Sequence, residues 1–598
     1  MLSVTAFVKR LYYSAGGRKM SFLAGVRQAR SHSILVNLLC LLILCVPLVS
    51  CWPFPDAPQF TSVNLGIPGA ALNSPVVGQL PNDKVLHMRI TFKVDQNWLK
   101  KLEQHKVQQG QPSRLEKFAN NLGVSDTFYQ KVKNFFSLSG ITLQLSKLHT
   151  HLSVDAKVST LSRLLQTKFV LHNYNGRTFY APNPAPKVPT FLANSIEAIT
   201  GLDNYSGKPV HDLMLHFAAT RTHKTAQQAD CYPSANTLFP RDIAGAYGQS
   251  QLWQRGLNGE NMTINLVEVD GSYREDIQNY LSCINFRGHV SIANVDNPPA
   301  DALGESTLDI QMVAGLARAA NIVVYQTDGN SSDDVWGSVN DELQQLINDN
   351  VNNANSGGVV SISLGIAEAE MTADDLRAID SSLEQLTRIE HMTVFVASGD
   401  CGAFGDEHYG HLAVSFPASD PWVTSVGGTF LQVDRRQERS NESAWSDGSN
   451  HRSCKNRWGS GGGNSELFKL PGWQNAPGVR NSFSHGARQI PDLAAAAYNL
   501  AVYFNGQWGA VGGTSAAAPI WAAGLALVNE GTLKQNHTFA YGPQLFYQVM
   551  NSSGGARAYY DVTRGNNLYY PATAGWDFTT GLGTPNLPAF YQTMESLL

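Results

Sequence analysis

The chain has 598 residues, with 44 Lys plus Arg against 48 Asp plus Glu and a formal net charge of -4. That length exceeds one ordinary domain, and the near-neutral balance gives no reason to expect nucleic acid as a partner. Hydrophobic residues make up 43% and charged residues 15%, ample for large cores and lean in charge for a cytosolic enzyme.

The first acidic residue is Asp56. Before it, Lys9, Arg10, Arg18, Lys19, Arg27 and Arg30 precede an apolar run from Ile34 to Val49, broken only by Asn37 and Pro47. A basic flank and so short a run read as an export signal over residues 1–51 rather than a membrane span. Leu48-Val49-Ser50-Cys51 resembles a bacterial lipobox, whose Cys would carry a lipid. The alternatives are an ordinary signal cut near Ser50 and an uncleaved anchor. Beyond the leader, Cys231, Cys283, Cys401 and Cys454 allow two disulfides in three pairings. Their wide spacing does not suggest zinc.

Residues 52–84 are rich in Pro and Gly without periodicity and read as a linker. A compact unit follows over 85–205. Val85 to Phe92 alternates as a strand. Asn97 to His105 and Pro112 to Leu122 read as helices, Leu143 to His149 as a strand and Val158 to Gln166 as a helix. Lys168 to Tyr174 and Arg177 to Ala181 form a hairpin about Asn175-Gly176. The strand-helix-strand-strand-helix-strand order is ferredoxin-like. Residues 206–235 are polar and irregular, with Lys208, Arg221, His223 and Lys224 open to proteolysis by composition.

From 236 to 598 the pattern is one large α/β unit. Ile264–Val269, Ile322–Tyr325, Val359–Ser363 and Thr393–Ala397 are short apolar runs of the kind found in parallel strands covered on both faces. Ser306–Arg318, Asp341–Asn348 and Ala373–Ile389 read as the helices between them.

Gly512-Gly513-Thr514-Ser515-Ala516-Ala517-Ala518-Pro519 places a serine at the start of a small-residue helix, whose amides favour developing negative charge. A serine hydroxyl needs a base, and no His-Gly-Thr-His stretch supplies one. Glu305 and Asp309 stand four residues apart, one turn apart on one helix face. Asp400 follows an apolar strand within Ser398-Gly399-Asp400, where open α/β sheets carry their active groups. Read singly, these are an N-cap serine, an exposed acidic face and a turn aspartate.

Together the segments resemble the sedolisin family of serine-carboxyl peptidases, from about Val85 to the C-terminus. The likeness extends through Ser361-Ile362-Ser363-Leu364-Gly365, Phe416-Pro417-Ala418-Ser419, Val426-Gly427-Gly428-Thr429 and Pro491-Asp492. The family usually has an aromatic at the position of Leu364. The resemblance implies a subtilisin-like parallel sheet flanked by helices, preceded by a ferredoxin-like α+β pro-domain ending in Ile196–Leu202. It implies Ser515 as nucleophile, Glu305 as its general base, Asp309 as the group that orients Glu305, and Asp400 as the oxyanion-hole acid. An acid that must be protonated to donate a hydrogen bond implies activity at low pH.

The resemblance also implies one structural Ca2+ near the C-terminus, with carboxylates from Asp561 and Asp577 and backbone carbonyls from Val562, Thr573 and Gly575. Without it, both aspartates read as ordinary turn residues. Expected partners are peptide or protein substrates and the chain's own pro-domain as an intramolecular inhibitor, cut away by self-cleavage within 206–235. A monomer is expected, exported or lipid-anchored at the cell surface. Endopeptidase and tripeptidyl-peptidase activities share these residues. A catalytically dead binding module of the same fold is the alternative.

Overall fold

The computed structural model describes residues 59–104, 114–137, 140–209, 231, 237–352, 358–405, 411–448, 453–535, 537 and 541–597. The export segment and most of 206–235 lie outside the described residues. The unit Phe60–Leu598 contains both the N-terminal α+β layer and the large α/β layer.

Alternation builds the N-terminal layer. In β1 (Val85–Phe92), Leu86, Met88, Ile90 and Phe92 are buried in one cluster, so His87, Arg89 and Thr91 point to the opposite face. Antiparallel partners are β2 (Thr142–Leu145), β3 (His151–Lys157) and β4 (Ile196–Thr200), in the spatial order β2–β3–β1–β4. This is the ferredoxin-like order, reached from elements that differ in detail from those expected. The run Leu143–His149 is not one strand. Ser146 Oγ accepts from the Thr150 and His151 amides, turning the chain at His149 (φ 57°) into β3. The Phe169–Tyr174 and Arg177–Pro182 hairpin forms as read, with φ 52° and 83° at Asn175 and Gly176, but it pairs with Val76–Gln79 in a separate three-stranded sheet. The 52–84 stretch is therefore no linker from Phe60 onward, since Phe60–Ser62 also pairs with Lys187–Pro189. Of the expected 112–122 helix, the described part is two short turns, Leu115–Phe118 and Ala119–Leu122. An unforeseen helix follows over Asp126–Phe135, capped by Ser125.

The second layer carries an eight-stranded sheet. Its strands are β5 (Thr263–Glu268), β6 (His289–Asn294), β7 (Asn321–Gln326), β8 (Val359–Ile362), β9 (Thr393–Ala397), β10 (Thr424–Val433), β11 (Arg439–Ala444) and β12 (Leu493–Ala496). The spatial order is β6–β7–β5–β8–β9–β10–β11, with β12 parallel to β10 and only β10–β11 antiparallel. Continuous apolar runs are what such doubly covered strands require. Its helices include α1 (Glu305–Leu316), α2 (Val335–Asn350), α3 (Ala373–Arg388) and α4 (Thr514–Lys534). All of α1 is buried, which explains why it shows no polar face. The disulfides are Cys231–Cys283 and Cys401–Cys454.

The ferredoxin-like sheet meets the second layer through its polar face. Buried Arg89 pairs with Asp341 and Asp334 on or beside α2 and with Asp296 after β6. Thr150 Oγ1 donates to Gln385 of α3 at 2.7 Å, and Asp374 accepts from the Ile199 amide at 2.8 Å. Gly207 and Lys208 also lie on this layer, with the Gly207 carbonyl accepting from Trp336 Nε1 at 2.7 Å.

Candidate active site

The central strands β5, β8 and β9 are neighbours in the sheet, and their C-terminal ends converge. Glu268 closes β5, Ser363 follows β8 and Asp400 follows β9. The start of α1 is fixed here by Asp270, whose carboxylate accepts from the Leu303, Gly304 and Ser306 amides at 2.9–3.0 Å. That cap puts Glu305 in the first helical turn and Asp309 one turn below it.

Ser515 sits in the first turn of α4 and lines a cleft with Leu364, Gly399, Asp400, Arg457 and Trp458. Its hydroxyl faces the Glu305 carboxyl, and this approach acts to lower the carboxyl's pKa against the effect of burial. Gly513, at φ 147°, makes the turn into α4. A Cβ there would lie 2.8 Å from Asp400 Oδ2, so glycine is required for close approach as well as for the angle. Asp400 Oδ1 accepts from both the amide and the hydroxyl of Thr514 at 2.7 Å, and Thr514 Oγ1 accepts from the Gly399 amide at 3.1 Å. Thr514 thus ties the loop of Asp400 to the residue preceding Ser515.

Below Glu305 lies a group of buried carboxyls. Asp309 is hydrogen-bonded to Ser363, and the Glu268 carboxyl lies close enough for the two acids to influence each other's titration. Burial, reinforced by the charge of Asp309, holds Glu305 well above the usual carboxylate range, and the same two causes act on Glu268. Burial raises Asp309 to about 8. Hydrogen-bond arithmetic leads to the same protonation. Ser363 Oγ is 2.6 Å from Asp309 Oδ2 and 3.1 Å from the Ser515 carbonyl oxygen. One hydroxyl carries one proton. With Asp309 protonated, its O–H donates to Ser363 and Ser363 donates onward to the Ser515 carbonyl. That carbonyl is free because Pro519, four residues on, has no N–H to offer it.

The four residues read from the sequence as catalytic therefore come together. Glu268, Ser363 and Thr514 were not singled out for such a role. A lone Glu at the end of an apolar strand was the one visible signal for Glu268. No histidine lines the cleft among the described residues. The Cys401–Cys454 bridge holds the Asp400 loop to the segment carrying Arg457 and Trp458, two cleft residues with no sequence signal of their own.

The C-terminal aspartates also meet. Asp577 Oδ2 accepts from the Thr573 amide at 2.8 Å, and Asp561 Oδ2 from the Gly575 amide at 2.9 Å. Both carboxylates thus face one loop, whose Gly575 has φ 77°. Asp577 is buried, which pushes its carboxyl up to about 7. No Lys or Arg pairs with either aspartate among the described residues. Hard oxygens around uncompensated carboxylates fit a calcium ion.

Residues 73–205 match the pro-kumamolisin activation domain, and residues 291–575 match the subtilase family. The chain is 29% identical over 497 residues to kumamolisin of Bacillus sp. (strain MN-32), covering 79% of this chain and 83% of that one. It is 25% identical over 537 residues to sedolisin of Pseudomonas sp. (strain 101), covering 85% and 86%. A tripeptidyl-peptidase of Aspergillus fumigatus is 25% identical over 588 residues, covering 82% and 88%. Among solved structures, Pseudomonas sedolisin, a serine-carboxyl proteinase complexed with two molecules of pseudo-iodotyrostatin, is similar with a TM-score of 0.51 and 27% identity. That likeness covers 61% of this chain and 99% of that one.

Proposed function

The chain belongs to the sedolisin family and carries a pro-kumamolisin activation domain, and from that premise we propose an acid-active peptidase made as a proenzyme. The observation that carries the reading is the juxtaposition of Ser515 with the buried carboxyl of Glu305, with Asp400 beside the same helix start.

Ser515 attacks the carbonyl carbon of a peptide while Glu305 takes its proton. The amine leaves with that proton, and water then hydrolyses the acyl-enzyme. Asp309, held by Ser363, keeps Glu305 in place and shares protons with it and with nearby Glu268. Asp400, when protonated, donates to the tetrahedral oxyanion. Its Oδ1 accepts from the amide and hydroxyl of Thr514, which holds the carboxyl beside the start of α4. Leu364 replaces an aromatic expected in the cleft, so the substrate pocket beside Ser515 is aliphatic on that side.

The pro-domain acts as an intramolecular inhibitor, held through Arg89 and its carboxylates. Self-cleavage falls within 206–235. Calcium would be held by Asp561 and Asp577 with the carbonyls of Val562, Thr573 and Gly575, and it would lock two C-terminal loops.

The test is peptide hydrolysis from about pH 3 to 8, comparing wild type with Ser515→Ala after acid incubation. Activity confined to acid, and lower by about 10⁴-fold or more in the variant, is expected. Turnover in Ser515→Ala at a rate near wild type would overturn the assignment.

A further inference from the structure

At the junction of the two layers, His87, Asp296 and Asp341 bring one ligand atom each to within 4.8 Å of one another. His87 comes from β1, Asp341 from α2, and Asp296 from the turn after β6. The His87 ring is oriented on both sides. Its Nδ1 is hydrogen-bonded to Asp155, directly across on β3, and its Nε2 lies 3.2 Å from Asp341 Oδ2. A carboxylate on one imidazole nitrogen with the other aimed at further carboxylates is how proteins set a histidine to ligate a metal.

A second histidine lines the same cavity. His151 of β3 is only 3% exposed, and neither ring nitrogen has a hydrogen-bond partner. Its Nε2 lies 3.5 Å from Asp341 Oδ1, and it lines the same cavity as His87, Asp296 and Asp341. A buried imidazole left without a bond costs stability unless something else engages it. Imidazole nitrogens with carboxylate oxygens are a donor set that suits a divalent ion such as zinc.

Charge points the same way. Arg89 is the buried cation here, and Asp155, Asp296, Asp334 and Asp341 surround it and His87. Arg89 takes Oδ2 of Asp341, which leaves Oδ1 facing His151.

We propose that His87, His151, Asp341 and Asp296 form a binding site for a divalent transition ion of the zinc type, joining the pro-domain to the catalytic layer. The site draws two ligands from the pro-domain and two from the catalytic layer, so the ion would act as a staple across the junction. It is separate from the calcium loop and does not depend on the peptidase reading.

The test uses the full-length Ser515→Ala chain, stripped with chelator and dialysed at pH 7.5. Cobalt(II) chloride is titrated with visible absorption as the readout, and zinc chloride then displaces it. Saturation at one ion per chain is expected, with absorption bands of nitrogen-ligated cobalt. His151→Gln should weaken binding by about 100-fold or more, and Asp155→Asn, on a half-exposed side chain, by about 10–100-fold. Circular dichroism confirms that each variant is folded, and Asp155→Asn keeps the test decisive if His151→Gln is not. Absence of saturable cobalt or zinc binding below about 100 μM, or affinity unchanged by both variants, would overturn the proposal and leave the cluster as ion pairs alone. Peptidase activity of the wild type is measured separately, so failure of one reading is distinct from failure of the other.

Discussion

Asp309→Asn offers a quantitative test of the buried carboxyl group. Asp309 is fully buried and titrates at about 8 against an ordinary 3.8. A group raised in this way is protonated in the folded protein while the unfolded chain has already released its proton. Stability is therefore full below about pH 4 and falls as pH rises towards 8. At about 1.4 kcal/mol per pH unit, the gap sets a ceiling of roughly 6 kcal/mol. Glu268 and Glu305 share the same protons, so about half of that, ~3 kcal/mol, is assigned to Asp309. Asparagine never ionises. At pH 4.5 the variant should lose about 1 kcal/mol for an imperfect bond to Ser363. At pH 8 it should have recovered that loss and exceed the parent. In thermal unfolding on a Ser515→Ala background, the Tm difference between variant and parent should move upward by ~2–3 °C from pH 4.5 to pH 8. Titrating groups outside the Glu268–Glu305–Asp309 cluster are common to both proteins and cancel in that difference. An offset that is equal at the two pH values, or more unfavourable at pH 8, would refute the account of Asp309 as a proton-holding buried acid.

Gly513→Ala should lower kcat by about 10²-fold with little effect on KM, because a Cβ 2.8 Å from Asp400 Oδ2 displaces the acid from the oxyanion. Steady-state kinetics and a thermal melt separate this from a general loss of fold. Removing calcium with a chelator at neutral pH should lower Tm by several degrees, and Asp561→Asn should abolish the dependence. A Tm indifferent to chelation would count against the C-terminal site.

The sequence carried the catalytic site further than it carried the pro-domain. Ser515, Glu305, Asp309 and Asp400 lie in short motifs whose residue types state their chemistry, and β5, β8 and β9 are apolar runs bounded by polar ends. Glu268 was hidden because a strand end gives no spacing rule, and its partner Asp309 is 41 residues away in a buried helix. Ser363 depends on Pro519, 156 residues on, to free the carbonyl it bonds, a relation that local pattern does not contain. The alternation of β1 was plain, yet the destination of His87, Arg89 and Thr91 was not, since a polar strand face usually means solvent. Phe60–Ser62 and Val76–Gln79 are too short to show periodicity and are held by pairing with residues about a hundred positions away. Such strands are defined by their partners rather than by their own residues.

If the proposed cleavage releases the N-terminal layer, the Arg89 junction has a consequence for the protein that remains. Asp296, Asp334 and Asp341 all stay with the catalytic layer, while their buried cation leaves on the severed piece. What remains is an exposed anionic socket shaped for one guanidinium. In acid its carboxyls take up protons and the socket loses its attraction. Returned to neutral pH, it regains three negative charges and favours recapture of the released piece. Separation would thus be directional only while the surroundings stay acidic, and neutralisation would act as a brake on the freed enzyme without any further cleavage.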